Sequence, residues 1–281
     1  LDIADVKVEG HLDSSRTGTY VLSYNYTDSE GRAAETLFRS VEISDSLPPQ
    51  ITLTGGATIK HPLGQPFVEP GFSATDIVDG DVFVQSSLFE TGIRHQGFHI
   101  GGGDSYLNFN QNGGLLTRVP LGENVLKTAL DFHGDDSFRN AGVGITRPDN
   151  YNNLFTGLFV ARVGGQYQFQ IAQKDDRGTF WFDVNGDGVF EENGSAGSEW
   201  MNNGYHNGLS SVDLSPGLYR FAIGHTEHGG GSRITARFST PPGGGPASLV
   251  NIDPSQGNQS GLWVMEKPFN TGAVGTQTIT Y

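Results

Sequence analysis

Oxygen donors at the spacing of a calcium loop stand out first in this sequence. The run from Asp183 to Glu191, DVNGDGVFE, puts Asp183, Asn185 and Asp187 at alternating positions, with Gly188 at a sharp turn and Val189 able to offer its carbonyl. Loops of the EF-hand kind space their donors in this way, because calcium takes about 6–8 oxygens. The place where such a loop carries its bidentate glutamate is Gly194, so the match is incomplete. Asn-Gly and Asp-Gly also make ordinary hairpin turns, and both readings stay open. A second acidic group, Asp45, Asp76, Asp79 and Asp81, reads either as calcium ligands between two successive modules or as a solvated loop. Asp175, Asp176 and Glu227 form a third set. As a glycosidase acid and base they would flank a glycosidic bond, but two adjacent aspartates serve one ion better than two faces of a sugar ring. For the aspartate pair the plain alternative is a polar hairpin turn. His225-Thr-Glu-His228 lacks the i, i+4 pairing of helical zinc sites, and no nucleophile has an evident partner. The expectation is a protein that is not an enzyme.

Composition narrows the classes further. Of 281 residues, 41 are glycine, 13 proline and 18 phenylalanine, and only 17% are charged. That mix suits short strands and tight turns around an aromatic core, and no long stretch shows apolar residues at helical spacing, so the expected fold class is all-β. A net charge of −14 argues against nucleic acid as a partner and fits either bound cations or simple solubility. With no cysteine, disulfides, thiolate metal sites and a cysteine nucleophile are excluded. No apolar run approaches the roughly 20 residues of a membrane helix, so membrane insertion is not expected. No signal peptide is evident, and the chain reads as a monomeric piece of a longer repeat protein.

The elements that must position these residues carry an internal repeat. Leu12–Tyr24, LDSSRTGTYVLSY, resembles Phe269–Tyr281, FNTGAVGTQTITY, each a glycine turn leading into an alternating strand. After the first copy come a turn at Asp28 to Gly31 and a strand through Phe38, Val41 and Ile43. GTYVLSYNYTDSEGRAAETLFRSVEISD resembles the closing half of bacterial Ig-like extender repeats of surface proteins. PPQITLTGG, the Glu69-Pro-Gly-Phe turn and ATDIVDGD resemble their opening half. The resemblance implies a closing half-module at 1–47, a split Ig-like domain at 48–90 and 262–281, and a domain inserted between its strands at 91–261.

Within the insert, YNNLFTGLFVARVGGQYQFQIAQKDDRGTFWFDVNGDGVFE and LSPGLYRFAIGHTEHGGGSRITARFSTP resemble the protective-antigen-type lectin family shared by bacterial adhesins and yeast flocculins. The resemblance implies a β-sandwich in which Asp175 and Asp176, joined by a cis peptide, turn both carboxylates toward one calcium ion. It makes Glu227 a further side-chain ligand and Gly229 and Gly231 carbonyl donors. Two adjacent hydroxyls of a sugar would complete the shell, with Arg177, His225, His228, Tyr205 and Trp200 choosing among sugars. Calcium-dependent carbohydrate binding by a bacterial cell-surface adhesin, with extracellular glycans as partners, is the expected function. A calcium-stiffened spacer or protein-docking module is the alternative.

Overall fold

Strand-forming residues decide the architecture, and the chain is all-β. The computed structural model describes residues 5–65, 67, 69–82, 84, 86–100, 115–190, 199–204, 209–239, 241, 248–256, 261–267 and 274–281. Contacts divide the chain into two units, Leu1–Thr52 with Phe72–Val82, and Leu53–Gly71 with Phe83–Tyr281.

The first unit opens with an antiparallel sheet of β1 (Lys7–Glu9), β2 (Gly18–Asn25) and β3 (Leu37–Ile43), in that order. The turn before β3 forms where expected: Asp28 Oδ1 accepts the N–H groups of Glu30 at 3.0 Å and Arg32 at 2.8 Å. A second three-stranded sheet contains β4 (Gln50–Leu53), β5 (Phe72–Asp76) and β6 (Gly80–Val82).

The second unit is dominated by a two-sheet sandwich. Its strands are β7 (Phe89–Thr91), β8 (Ile93–His99), β9 (Gly122–Leu126), β10 (Asp131–His133), β11 (Tyr151–Ala161), β12 (Gly165–Lys174), β13 (Arg177–Phe182), β14 (Trp200–Gly204), β15 (Leu209–Leu214), β16 (Gly217–Glu227), β17 (Arg233–Ser239), β18 (Val250–Asn251) and β19 (Gly261–Glu266). One five-residue helix, α1 (Asp135–Arg139), follows β10. The larger sheet runs β14-β13-β16-β11-β19-β7, with β8 joining β11 to β9. The smaller runs β10-β17-β12-β15, with β18 beside β17.

Alternation along the strands sets what lies between the sheets. In β11 and β16 the pairs Phe155–Ile223 and Tyr151–Glu227 share a register. Phe155, Phe159, Phe221 and Ile223 of the larger sheet enter one core with Phe169, Ile171 and Phe238 of the smaller. Phe159 sits at its centre, with the Trp263 ring 4.8 Å away and Phe169 edge-on at 5.7 Å. Burying so many rings supplies most of the drive to fold.

Two expectations about the module edges change. Leu262, Trp263, Val264 and Met265 are buried in β19, which pairs with β11 and β7. The insert's sandwich therefore takes strands from both sides of 91–261, because these apolar residues complete its sheet and core. Residues 274–281, expected to be a strand of the repeated hairpin, form none; Phe269 lies outside the described residues. The returning chain instead pairs locally: Ser87 N–H donates to the Thr280 carbonyl at 2.9 Å, and Tyr281 OH to Glu69 Oε2 at 2.7 Å.

Candidate functional site

Asp175 and Asp176 are the whole link between β12 in the smaller sheet and β13 in the larger. The chain must turn sharply to change sheets in two residues, and Asp176 does so at φ 47°, where non-glycine residues are uncommon. Residues 228–232 make the reverse crossing from β16 to β17. The two crossings lie side by side and are hydrogen-bonded: Asp175 N–H donates to the Arg233 carbonyl at 2.9 Å, and His228 N–H to Asp176 Oδ2 at 2.5 Å. Asp175 Oδ1 accepts the N–H of Asp176 at 3.0 Å. Gly231 sits against the other oxygen of Asp175, and a Cβ there would stand 3.8 Å from Oδ2. A Cβ on Gly229 would stand equally close, 3.8 Å, to Oδ1 of Asp149. A Cβ at either position would make only an ordinary van der Waals contact, so it is the backbone of the second crossing that lies close to these carboxylates.

Glu227, the last residue of β16, lies on the core side of the larger sheet, opposite Tyr151. It is fully buried, and no hydrogen bond of normal geometry reaches either carboxylate oxygen. Burial pushes its pKa up to about 7, with the charges of Asp176 and Asp175 adding to the rise and Ser232 and the Gly229 N–H opposing it. Tyr151 OH meets Ser232 Oγ, and Ser232 N–H donates to Asp135 Oδ1 at 3.2 Å. The three expected carboxylates thus gather at one end of the sandwich. Among the described residues no three acidic or histidine side chains already close to metal-ligand geometry, so the set is a cluster of oxygens rather than a formed shell.

The expected sugar selectors divide. His228 is exposed on the second crossing and Arg177 is half-buried at the start of β13. His225 departs from expectation: it is fully buried, stacked on Phe138 at 4.9 Å, because β16 alternates Phe221, Ile223, His225 and Glu227 into the core. A ring there cannot touch a sugar at the surface. Burial lowers its pKa to about 3, and that of His95 to about 4. Tyr205 lies outside the described residues, and Trp200 is described only as backbone paired with Trp181.

In the other two acidic groups, side-chain oxygens accept main-chain N–H groups of their own turns. Asp183 is buried and accepts the N–H groups of Gly186 at 2.7 Å and Gly188 at 2.9 Å. Asn185 Oδ1 takes the Asp187 N–H and Asp187 Oδ1 the Val189 N–H, both at 2.8 Å. Glu199, which the sequence reading missed, is buried beneath this loop and accepts the N–H groups of Val184 and Asn185, the latter at 3.1 Å. It lies five residues beyond Gly194, too far along for a loop-spacing rule to find. In the first unit Asp76 caps its own hairpin, accepting Val78 N–H at 2.8 Å and Asp79 N–H at 3.1 Å. Those bonds lower its pKa, and Asp45 adds a smaller contribution in the same direction. Asp81 is described only as backbone, paired with Thr75.

Residues 2–43 match the family model of the bacterial surface protein Ig-like domain. That segment builds β1 to β3, in agreement with the resemblance read from its sequence. No curated protein matches the chain. Among solved structures it is similar to the epithelial adhesin 9 A domain from Candida glabrata, solved in complex with Galb1-3GlcNAc, at 13% identity and TM-score 0.47, covering 66% of this chain and 94% of that one. It is also similar to the PA14 sugar-binding domain from an RTX adhesin, at 14% identity and TM-score 0.36, covering 58% and 94%. A third is the PA14 domain of the antifreeze protein MpAFP, at 12% identity and TM-score 0.39, covering 59% and 88%.

Proposed function

We propose that the sandwich binds carbohydrate through a calcium ion held by Asp175, Asp176 and Glu227, and that the chain serves a bacterial surface adhesin. The observation that carries this reading is Glu227. A fully buried carboxylate that no hydrogen bond of normal geometry reaches, with only Ser232 and the Gly229 N–H nearby to oppose its neutralisation and two further carboxylates beside it, is costly unless a cation or a proton neutralises it. The donors at hand are all oxygens, which suits a hard cation. Asp175 and Asp176, set on the two-residue link, would hold the ion; Glu227 would meet it from the core side, and the carbonyls of Gly229 and Gly231 would line the second crossing. When bound, calcium supplies open coordination positions that two neighbouring sugar hydroxyls can fill. Exposed His228 and half-buried Arg177 stand at the rim to hydrogen-bond the rest of the ring. The Ig-like match at 2–43 supports placement on a bacterial surface.

Calcium titration by calorimetry, followed by a glycan array with calcium and with excess chelator, tests this. Calcium uptake with chelator-sensitive binding to sugars bearing vicinal hydroxyls is the expected result. Sugar binding that persists in chelator would overturn the calcium bridge. Calcium uptake with no sugar bound would leave a metal-stiffened spacer.

A further inference from the structure

Beneath the aspartate turn, the aromatic core contains a buried polar chain of three side chains. His95 on β8, Asn153 on β11 and His225 on β16 occupy neighbouring strands of the larger sheet and face the same core. All three are buried, with exposures of 2%, 0% and 0%. His95 Nε2 meets Asn153 Oδ1 at 2.8 Å, and Asn153 Nδ2 meets His225 Nδ1 at 3.1 Å. Both rings are packed in place by stacking, His95 on Phe155 at 4.2 Å and His225 on Phe138 at 4.9 Å.

The amide of Asn153 dictates the tautomers. Its oxygen accepts, so His95 carries its proton on Nε2; its nitrogen donates, so His225 Nδ1 accepts and the His225 proton sits on Nε2. That Nε2 is buried and has no hydrogen-bond partner within normal geometry. The ring lies by the aspartate turn because β13, which starts directly after Asp176, pairs with β16 at Arg177–Thr226 and Gly178–His225. A core built only for stability would use apolar side chains here, since a polar chain with an unpaired end is worse than none.

We propose that His95, Asn153 and His225 form a relay that fixes one tautomer of His225 and sets its Nε2–H beneath the Asp175–Asp176 turn, which positions the two carboxylates for the cation. The proposal rests on the calcium reading above and names His225 as a positioning residue, apart from the groups that touch the ion. A donor locked in one place favours one conformation of the link, whereas a ring free to exchange tautomers would offer an acceptor half the time.

Two variants test it. Asn153→Leu removes both hydrogen bonds at once. His95→Phe, Asn153→Leu and His225→Phe together replace the whole relay by apolar groups, which restores packing without the donor. In calcium-free wild-type protein, the imidazole nitrogen NMR shifts should report the Nε2–H tautomer for both histidines. Calorimetry should show calcium affinity weakened by about ten-fold or more in both variants, the scale on which supporting groups act on metal sites. Thermal melts should show the triple variant regaining the stability that Asn153→Leu loses. A folded triple variant that binds calcium as tightly as wild type, or a wild-type His225 protonated on Nδ1, overturns the relay. Wild-type protein that takes up no calcium instead overturns the functional reading on which the relay rests.

Discussion

The main-chain N–H of His228 donates to Oδ2 of Asp176 at 2.5 Å, tying the loop that leaves β16 to the turn that leaves β12. One carboxylate oxygen thus adds a side-chain tie to the main-chain bond between Asp175 and Arg233. Asp176→Ala should cut this tie and remove a ligand in one step. Calcium affinity is expected to fall by at least about ten-fold, with sugar binding lost. The sandwich core, which makes no use of the Asp176 side chain in its packing, should keep its stability within about 2 kcal/mol. Calorimetry and urea unfolding on the same preparation check both halves. Calcium affinity unchanged in the variant would remove Asp176 from the ligand set.

Glu227→Gln separates the cost of a buried charge from its use. Without calcium the variant should be more stable than wild type at pH 8, because it takes a poorly compensated charge out of the core. With calcium it should gain less stability than wild type, since one negative ligand is gone. Melting curves with calcium and with chelator give the four values needed. A variant less stable than wild type in chelator would mean that Glu227 already has a stabilising partner.

Acid should find the buried histidine. Burial lowers the His95 pKa to about 4, while its bond to Asn153 pulls weakly the other way. In the unfolded chain the ring titrates near its ordinary value of about 6.5. Its contribution is therefore whole above about pH 6.5 and declines as pH falls toward 4, because only the unfolded state takes up the proton in that window. The loss amounts to about 3 kcal/mol at most. Urea unfolding of wild type and His95→Phe at pH 7.5, 5.5 and 4.5 isolates the term: the gap between them should shift in favour of the variant as pH drops. A gap independent of pH would mean that His95 titrates alike in the folded and unfolded chain, so that burial does not shift it.

Gly261→Ala tests whether β19 is integral to the sandwich. A Cβ at 261 would lie 2.6 Å from ring carbons of Phe159, the residue at the centre of the core. Overpacking of this kind typically costs about 1–3 kcal/mol. Thermal unfolding should register it as a single lowered transition of the sandwich. No change would mean that the segment is peripheral, as a boundary at 261 assumes.

Local chemistry was legible in the sequence, and burial was not. The Asp28 turn, the strand through Phe38, Val41 and Ile43, and the break at Asp175–Asp176 all appear where turn residues and alternation put them. His225 was legible in part: counting by twos from Phe221 and Ile223 directs it inward, but its place beside Glu227 and His228 suggested a surface role. Glu199 and β19 could not be read, because each is joined to its partners by tertiary contacts with no fixed spacing. The tail from 274 to 281 shows the converse. Its sequence resembles a strand that forms elsewhere in the chain, yet here it meets Ser87 and Glu69 by isolated bonds instead of a ladder.

Those isolated bonds bear on mechanics. Ser87 N–H donates to Thr280 O, and Thr280 N–H returns to Ser87 Oγ at 3.1 Å, so the strands of the sandwich leave and rejoin the chain at one clasp. Tension entering at Ser87 and leaving at Thr280 is borne by that clasp and bypasses the sheets. A pull applied between Ser87 and Thr280 would then load these two bonds before it reached the aspartate turn.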